Sequence, residues 1–397
     1  MVSLKQIRYL SIYVSLLVLT AVGSFKLGQG ELRGGPLVGE KIDSSKLESQ
    51  VDLRLFWEVW RRLESTYLEK AALDVEKMVY GAISGLTGAL DDPYTSFLPP
   101  QENVRSKEDL SGEFDGVGIQ LGYVNKTLAV MSPLPNNPAI KAGLKAGDLI
   151  LRIRDEGKKV DRDTVGISLN EAVNLIRGKK GQAVTLTVFS EGDREPREVR
   201  LVRDTILVPS VELEFTKSDR VAWLKVIKFG EKTAAEWDAA VIRILKEQPE
   251  GIVLDLRNNP GGYLQRAVDL ASEFVADGMI VSQQGRDETE TFSVNRKGRL
   301  IGKKMVVLVN KGSASASEIL AGALRERLGV KLVGEKTFGK GTVQEAQELS
   351  GGAGLHITIA KWLLPSGKNI HQDGLSPDVE VKQEIKEDDP SFDNQLE

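Results

Sequence analysis

At 397 residues the chain is long enough for two or three domains, each with a core of its own. Charge is mixed, with 53 Lys and Arg against 57 Asp and Glu, and no basic block interleaved with aromatics appears, so nucleic-acid binding is not expected. Cysteine is absent, which excludes disulfides, thiol nucleophiles and Cys-ligated metals, and the two histidines, His356 and His371, are separated by the turn Pro365-Ser366-Gly367, so neither a metal nor another cofactor is expected.

In chain order, Lys5 and Arg8 precede an apolar run over residues 9–25 that Lys26 closes. A positive flank followed by a Leu- and Val-rich stretch is an export signal, near the lower limit of roughly 17–25 residues for a membrane span. Residues 1–27 are therefore expected to be a cleaved signal peptide or a retained anchor in the cytoplasmic membrane. Either places the rest in the cell envelope, periplasmic or otherwise extracytoplasmic. Residues 28–42 read as a linker. Leu47, Val51, Leu55, Val59, Leu63 and Tyr67 recur every four residues, one face of a helix, and Val75, Met78, Val79, Ala82, Ile83, Leu86 and Leu90 repeat the pattern up to Asp91-Asp92-Pro93. These helices (43–105) are expected to cap the body or to join copies in a homo-oligomer.

Over 106–203 the texture changes to short strands (118–121, 128–131, 149–153, 184–189) with helical pieces near 138–142 and 168–176, a small, partly open barrel. The second piece opens on the capping pattern Ser168-x-x-Glu171. From 204 to 383, strands and helices alternate, which implies a mixed, mainly parallel sheet with right-handed crossovers. Residues 384–397 are acidic and poor in large apolar groups, and are expected to be disordered. The fold class is thus α/β and multidomain.

Two segments carry chemistry. In Gly312-Ser313-Ala314-Ser315-Ala316-Ser317-Glu318, a small-residue serine cluster stands where an apolar strand gives way to a helix. Ser315-x-x-Glu318 is also a capping box, but capping explains one serine and not the alanines around three of them. A hydroxyl at a helix N-terminus has backbone N–H groups and the positive dipole end available for a developing oxyanion. In Thr337-Phe338-Gly339-Lys340-Gly341-Thr342-Val343-Gln344, a lysine stands between two glycines. As a base it needs its pKa lowered from about 10.4 toward roughly 7–8, by burial against Phe338, Val343 and the helix after Ser315. Gln344 is placed to hold the amine without adding charge. Asn258-Asn259-Pro260-Gly261-Gly262 ends a strand of the same sheet, where loops gather into one crevice.

Together these segments resemble the C-terminal processing (tail-specific) serine peptidases. The match runs over about 47–381 and includes Asp91-Asp92-Pro93-Tyr94-Thr95-Ser96-Phe97-Leu98 and Lys141-Ala142-Gly143-Leu144-Lys145-Ala146-Gly147-Asp148. The resemblance implies a Ser-Lys dyad: Ser315 as nucleophile, Lys340 as base, Gln344 orienting it, and an oxyanion hole from the N–H groups of Ala316 and Gly261. It makes 106–203 an inserted PDZ domain and 204–383 the protease core. Gly116, Val117, Gly118 and Ile119 would capture the carboxylate of a free protein or peptide tail, and Arg177 would couple that domain to the protease. The rivals are a silent PDZ adaptor and a Ser-His hydrolase using His356 or His371.

Overall fold

A computed structural model of the chain describes residues 51–134, 136–216, 220–384 and 393–396. The signal or anchor expected at 1–27 and the linker at 28–42 lie outside the described residues. The chain divides between Met78 and Val79 into two compact units. In the first, helix α1 (Arg54–Thr66) buries none of its side chains, and Leu55, Trp57 and Val59 on its apolar face are exposed. Helix α2 (Val75–Gly88) ends just before Asp91-Asp92-Pro93, as the proline requires.

Strand β1 (Ser96–Leu98) and helix α3 (Pro100–Ser111) follow, then β2 (Glu113–Gly116). The inserted domain is built from β3 (Ile119–Val124), β4 (Thr127–Pro133), α4 (Pro138–Lys141), β5 (Leu149–Asp155), β6 (Val160–Asp163), α5 (Leu169–Ile176), β7 (Ala183–Phe189) and β8 (Arg197–Val202). Its strands run in the order β3-β4-β5-β7-β8, antiparallel throughout, so β3 is an edge. Alternation along β7 turns Val184, Leu186 and Val188 inward onto Leu128, Ile150, Ala172 and Ile176. The capping pattern is realised: Ser168 Oγ accepts from Glu171 N at 3.2 Å. The chain leaves through β9 (Asp204–Leu207), which pairs with β2 in register from Glu113–Leu207 to Gly116–Asp204.

The remaining elements are β10 (Val211–Phe215), β11 (Val221–Val226), α6 (Thr233–Glu247), β12 (Gly251–Asp255), α7 (Leu264–Ala271), β13 (Met279–Gln284), β14 (Thr289–Ser293), β15 (Met305–Val309), α8 (Ala316–Leu328), β16 (Lys331–Gly334), β17 (Thr342–Glu348), β18 (Gly354–Leu363) and β19 (Val379–Glu380). One sheet has the order β10-β11-β12-β15-β16-β19, parallel except at β10, as the alternation of strands and helices requires. Helix α8 is enclosed against it, with Ile319, Leu320 and Leu324 in the core. A second, antiparallel sheet, β1-β18-β13-β14 with β17 on β18, is not foreseen by the sequence reading. It weaves the Asp92–Leu98 segment into the protease body.

The tail departs from expectation. Residues 385–392 lie outside the described residues, but Asp393–Leu396 are not loose: Gln395 is 7% exposed, and Asp393 forms an ion pair with Arg257 at 2.7 Å. Acidic composition suggests disorder, but a buried guanidinium supplies the partner that composition does not reveal.

Candidate active site

Three loops leave the C-terminal edge of the parallel strands β12, β15 and β16, the edge at which such sheets collect their sites. The loop after β15 holds the serine cluster. Ser313 is buried, with its hydroxyl donating to Leu256 O at 2.8 Å and accepting from Asn310 N at 3.0 Å. Ser317 is buried too and donates to Asn259 O at 2.9 Å. Those two serines tie the loops together. Ser315 stands between them at the start of α8, half-buried; its side chain closes a capping box over the Glu318 N–H, and among the described residues its hydroxyl donates to no acceptor. Its backbone lies at φ 55°, ψ −115°, a region that costs a β-carbon-bearing residue about 1–3 kcal/mol. Such strain at a strand-to-helix turn lifts a side chain out of the packing around it.

Ser315 opens into a cavity of about 1040 Å3, lined also by Tyr94, Gly261, Lys340, Gln344 and His356. Lys340 reaches it from the loop between β16 and β17. Gly341 is required there, because a β-carbon would lie 2.6 Å from His371 N. Burial lowers the Lys340 pKa below its ordinary value, and only the charge of Asp92 opposes the shift. Its Nζ lies 5.1 Å from the Tyr94 ring centroid. The apolar walls are Ile319, Val343 and Trp362. Phe338, expected among them, is 56% exposed and takes no part. No hydrogen bond joins Ser315 Oγ to Lys340 Nζ in this structure.

Gln344 does not hold the amine as expected. Its Nε2 donates to Thr342 Oγ1 and Thr358 Oγ1, each at 3.0 Å, which fixes the amide and leaves Oε1 unengaged. The N–H of Ala316 has no acceptor among the described residues. The N–H of Gly261, the other expected donor, is taken by Asn259 Oδ1 at 2.9 Å; that of Gly262, also in the cavity wall, has no acceptor among the described residues. Gly261 is nevertheless indispensable for packing: at φ 102°, a β-carbon on it would sit 2.9 Å from Ser315 Cβ and 2.8 Å from Ala314 O.

Glu318 is the functional residue that the sequence reading passed over. It is fully buried, and its Oε2 accepts from Ser315 N (2.8 Å) and Lys340 N (3.0 Å) while Oε1 accepts from Thr337 Oγ1 (2.6 Å) and Gly339 N (2.7 Å). One carboxylate thus binds the serine-bearing and lysine-bearing loops to each other. Its spacing from Ser315 signals a helix cap and conceals this second task. Of the histidines, His356 lines the cavity and is lowered in pKa by burial and then by Lys340, while His371 packs against Tyr94; neither is hydrogen-bonded to Ser315.

In the inserted domain, Gly116, Val117, Gly118 and Ile119 run from the end of β2 into the edge strand β3. The carbonyls of Val117 and Gly118 accept from Ala139 N and Leu134 N, each at 2.9 Å, and the N–H groups of both residues have no acceptor among the described residues. Arg177, the residue after α5, donates to Glu108 Oε2 at 2.8 Å and lies 4.1 Å over the Phe114 ring. Glu108 is on α3, the helix whose Arg105 and Asp109 line the catalytic cavity.

Comparison with known proteins agrees with this arrangement. The sequence model of Peptidase family S41 matches residues 220–381, and that of the PDZ domain matches 103–189. A CtpA-like serine protease of Staphylococcus epidermidis is 36% identical over 348 residues, covering 87% of this chain and 68% of that one. The carboxy-terminal processing protease CtpA of Bacillus subtilis is 37% identical over 324 residues, covering 81% of this chain and 67% of that one. A crystal structure of an S41 protease from Bacteroides fragilis superposes with a TM-score of 0.54 at 17% identity, covering 81% of this chain and 89% of that one, which speaks for the fold. At that identity and coverage the chain belongs to peptidase family S41, among the carboxy-terminal processing serine proteases with a PDZ domain.

Proposed function

We propose that Ser315 is the nucleophile and Lys340 the general base of an acyl-enzyme endopeptidase that shortens proteins near their C-termini. One observation carries this reading: of the three clustered serines, only Ser315 keeps its hydroxyl proton free of a carbonyl acceptor among the described residues, and it faces a cavity that a desolvated lysine also enters. Lys340 Nζ takes the hydroxyl proton as Ser315 Oγ bonds to the scissile carbonyl carbon. The oxyanion is met by the Ala316 N–H at the start of α8. As the C–N bond breaks, Lys340 returns the proton to the leaving amine and an ester remains on Ser315. Water, deprotonated by Lys340, then displaces the ester oxygen, giving a new C-terminal carboxylate and restoring the hydroxyl. Gln344 keeps an amide oxygen available to the amine, and the second oxyanion donor is the Gly261 N–H after release from Asn259.

Tail capture is assigned to the 116–119 segment. Unengaged N–H groups at Val117 and Gly118 suit a terminal carboxylate, and the free edge of β3 suits strand addition. Coupling is assigned to Arg177 through Glu108. With Arg177→Met, the preference of the enzyme for a substrate with a free C-terminal carboxylate over its C-terminal amide is expected to fall several-fold toward none, with cleavage of the amide unchanged; an unaltered ratio removes Arg177 from the pathway. Residues 9–25 are assigned as a membrane anchor or export signal, which puts the protease in the cell envelope. Among the described residues no helix is long and apolar enough to cross a membrane. The exposed apolar face of α1 supports self-association.

The test of the whole reading is digestion of a loosely folded protein, with the new C-termini located by mass spectrometry. Wild type is expected to cut close to the C-terminus and Ser315→Ala not at all, with identical circular dichroism. Cleavage by a folded Ser315→Ala chain refutes the assignment.

A further inference from the structure

We propose that the C-terminal segment Asp393–Leu396 is a resident ligand of Arg257 that positions the 258–262 loop against the nucleophile, and that the seat it fills accepts a free acidic peptide when the segment is missing. The inference deepens the assignment of Ser315 and rests on it for its rate effect; the binding effect stands independently of turnover.

Arg257 is 7% exposed and all five of its N–H donors are matched. Nε donates to Asp255 Oδ1 (2.9 Å) and Nη2 to Asp255 Oδ2 (2.6 Å), which ties the guanidinium to the end of β12. The other three bonds go to the tail: Nη2 to Asp393 Oδ2 (2.7 Å), Nη1 to Asp393 Oδ1 (2.9 Å) and Nη1 to Gln395 Oε1 (2.8 Å). A forked carboxylate with a carboxamide oxygen two residues later matches the planar donor set of arginine, which a lysine does not offer. The segment is also held from its other side: Gln395 Nε2 donates to Val381 O, Asn394 Nδ2 to Lys382 O (2.9 Å), and Glu384 N to Asn394 Oδ1 (3.0 Å). Without the segment, a buried cation keeps two hydrogen bonds and loses three, a cost that forces it to move or to take up water.

Movement there reaches the nucleophile by short contacts. Asn258 follows Arg257 directly; its backbone N–H donates to Asn310 Oδ1 at 2.9 Å, and Asn310 Nδ2 donates back to Asn258 Oδ1 at 2.9 Å. A β-carbon on Gly312 would lie 2.8 Å from Asn258 Cα, and one on Gly261 would lie 2.9 Å from Ser315 Cβ, so the 258–262 and 310–315 loops have no slack between them. Displacement of order 1 Å at a reacting group costs about 100-fold in rate.

Three variants test this: a chain ending after residue 392, Asp393→Asn and Gln395→Ala. For the shortened chain kcat is expected to fall ten- to a hundred-fold with KM within about twofold. Asp393→Asn is expected to show a smaller fall of the same kind, and Asp393→Glu to recover most of it. A synthetic peptide of residues 393–397 (Asp-Asn-Gln-Leu-Glu) is expected to restore kcat of the shortened chain saturably. Labelled, it is expected to bind a shortened Ser315→Ala chain and not the full-length one, which separates the seat from the catalytic assignment. Full kcat in the shortened chain overturns the proposal, as does failure of the peptide to bind or restore. If shortening unfolds the chain, Asp393→Asn and Gln395→Ala decide: unchanged kcat in both, with native circular dichroism, overturns the proposal, and a lowered kcat at unchanged KM supports it.

Discussion

Lys340→Met is expected to abolish turnover, by about a thousand-fold or more, while giving a chain that melts at a higher temperature than wild type. Both effects have one cause. Burial lowers the pKa of the Lys340 amine, and an amine so desolvated is a burden on the fold. The linkage has a definite sign. Between the lowered folded value and the unfolded value of 10.5, the unfolded chain binds the proton that the folded chain has released, so wild-type stability rises with pH through that window. Methionine is of similar length and carries no charge, so the variant is expected to lose that slope and to melt higher at neutral pH. The rate follows the same group in the other direction of reasoning: kcat/KM of wild type is expected to rise with pH to a plateau, with a midpoint below 10.5, as the amine becomes available. Thermal scans across pH on both proteins, beside a pH–rate profile on wild type, measure these effects. A variant that melts lower at every pH, or a flat rate profile, contradicts the account.

Glu318→Gln is the second substitution with a large expected effect, and here stability and activity fall together. The two oxygens of the carboxylate each accept two bonds, from Ser315 N and Lys340 N at one and from Thr337 Oγ1 and Gly339 N at the other. Whichever oxygen is replaced by the amide NH2, two donors lose their acceptor, part-buried ones at Oε2 and buried ones at Oε1. At about 1–3 kcal/mol for each group, the expected loss is roughly 2–6 kcal/mol. The same change releases either the serine and lysine backbones or the glycine before the lysine, so kcat is expected to drop by about a hundred-fold in the protein that remains folded. Denaturant titration gives the first number, and kinetics below the melting temperature give the second. Retention of kcat within about threefold shows that Glu318 only caps the helix.

What the sequence disclosed was mostly local. A strand giving way to a helix at the serine cluster and the Ser168 cap follow from period and spacing, and the structure has the strand at Met305–Val309, the helix at Ala316–Leu328 and the cap on Ser168. The dyad candidates were legible because serine among alanines and lysine between glycines are unusual surroundings for those residue types. The rest depends on partners far away in the chain. The antiparallel sheet joins Ser96–Leu98 to Gly354–Leu363, a pairing that no local pattern announces. Exposure of Phe338, the grip of two threonines on Gln344 and the capture of the Gly261 N–H by Asn259 are likewise matters of tertiary neighbourhood. The anchoring of Asp393 and Gln395 is hidden for the same reason, since low hydrophobicity says nothing of a waiting guanidinium.

The chain enters its inserted domain at Gly116 and leaves it at Asp204, two residues that face each other across an antiparallel ladder. The chain between them is thus joined to the rest through one hairpin-like doorway, with the Arg177–Glu108 pair as a second, non-covalent tie. Such an architecture lets a lineage exchange the reader of tails while keeping the blade, because any module whose two ends lie a strand's width apart will fit the same opening.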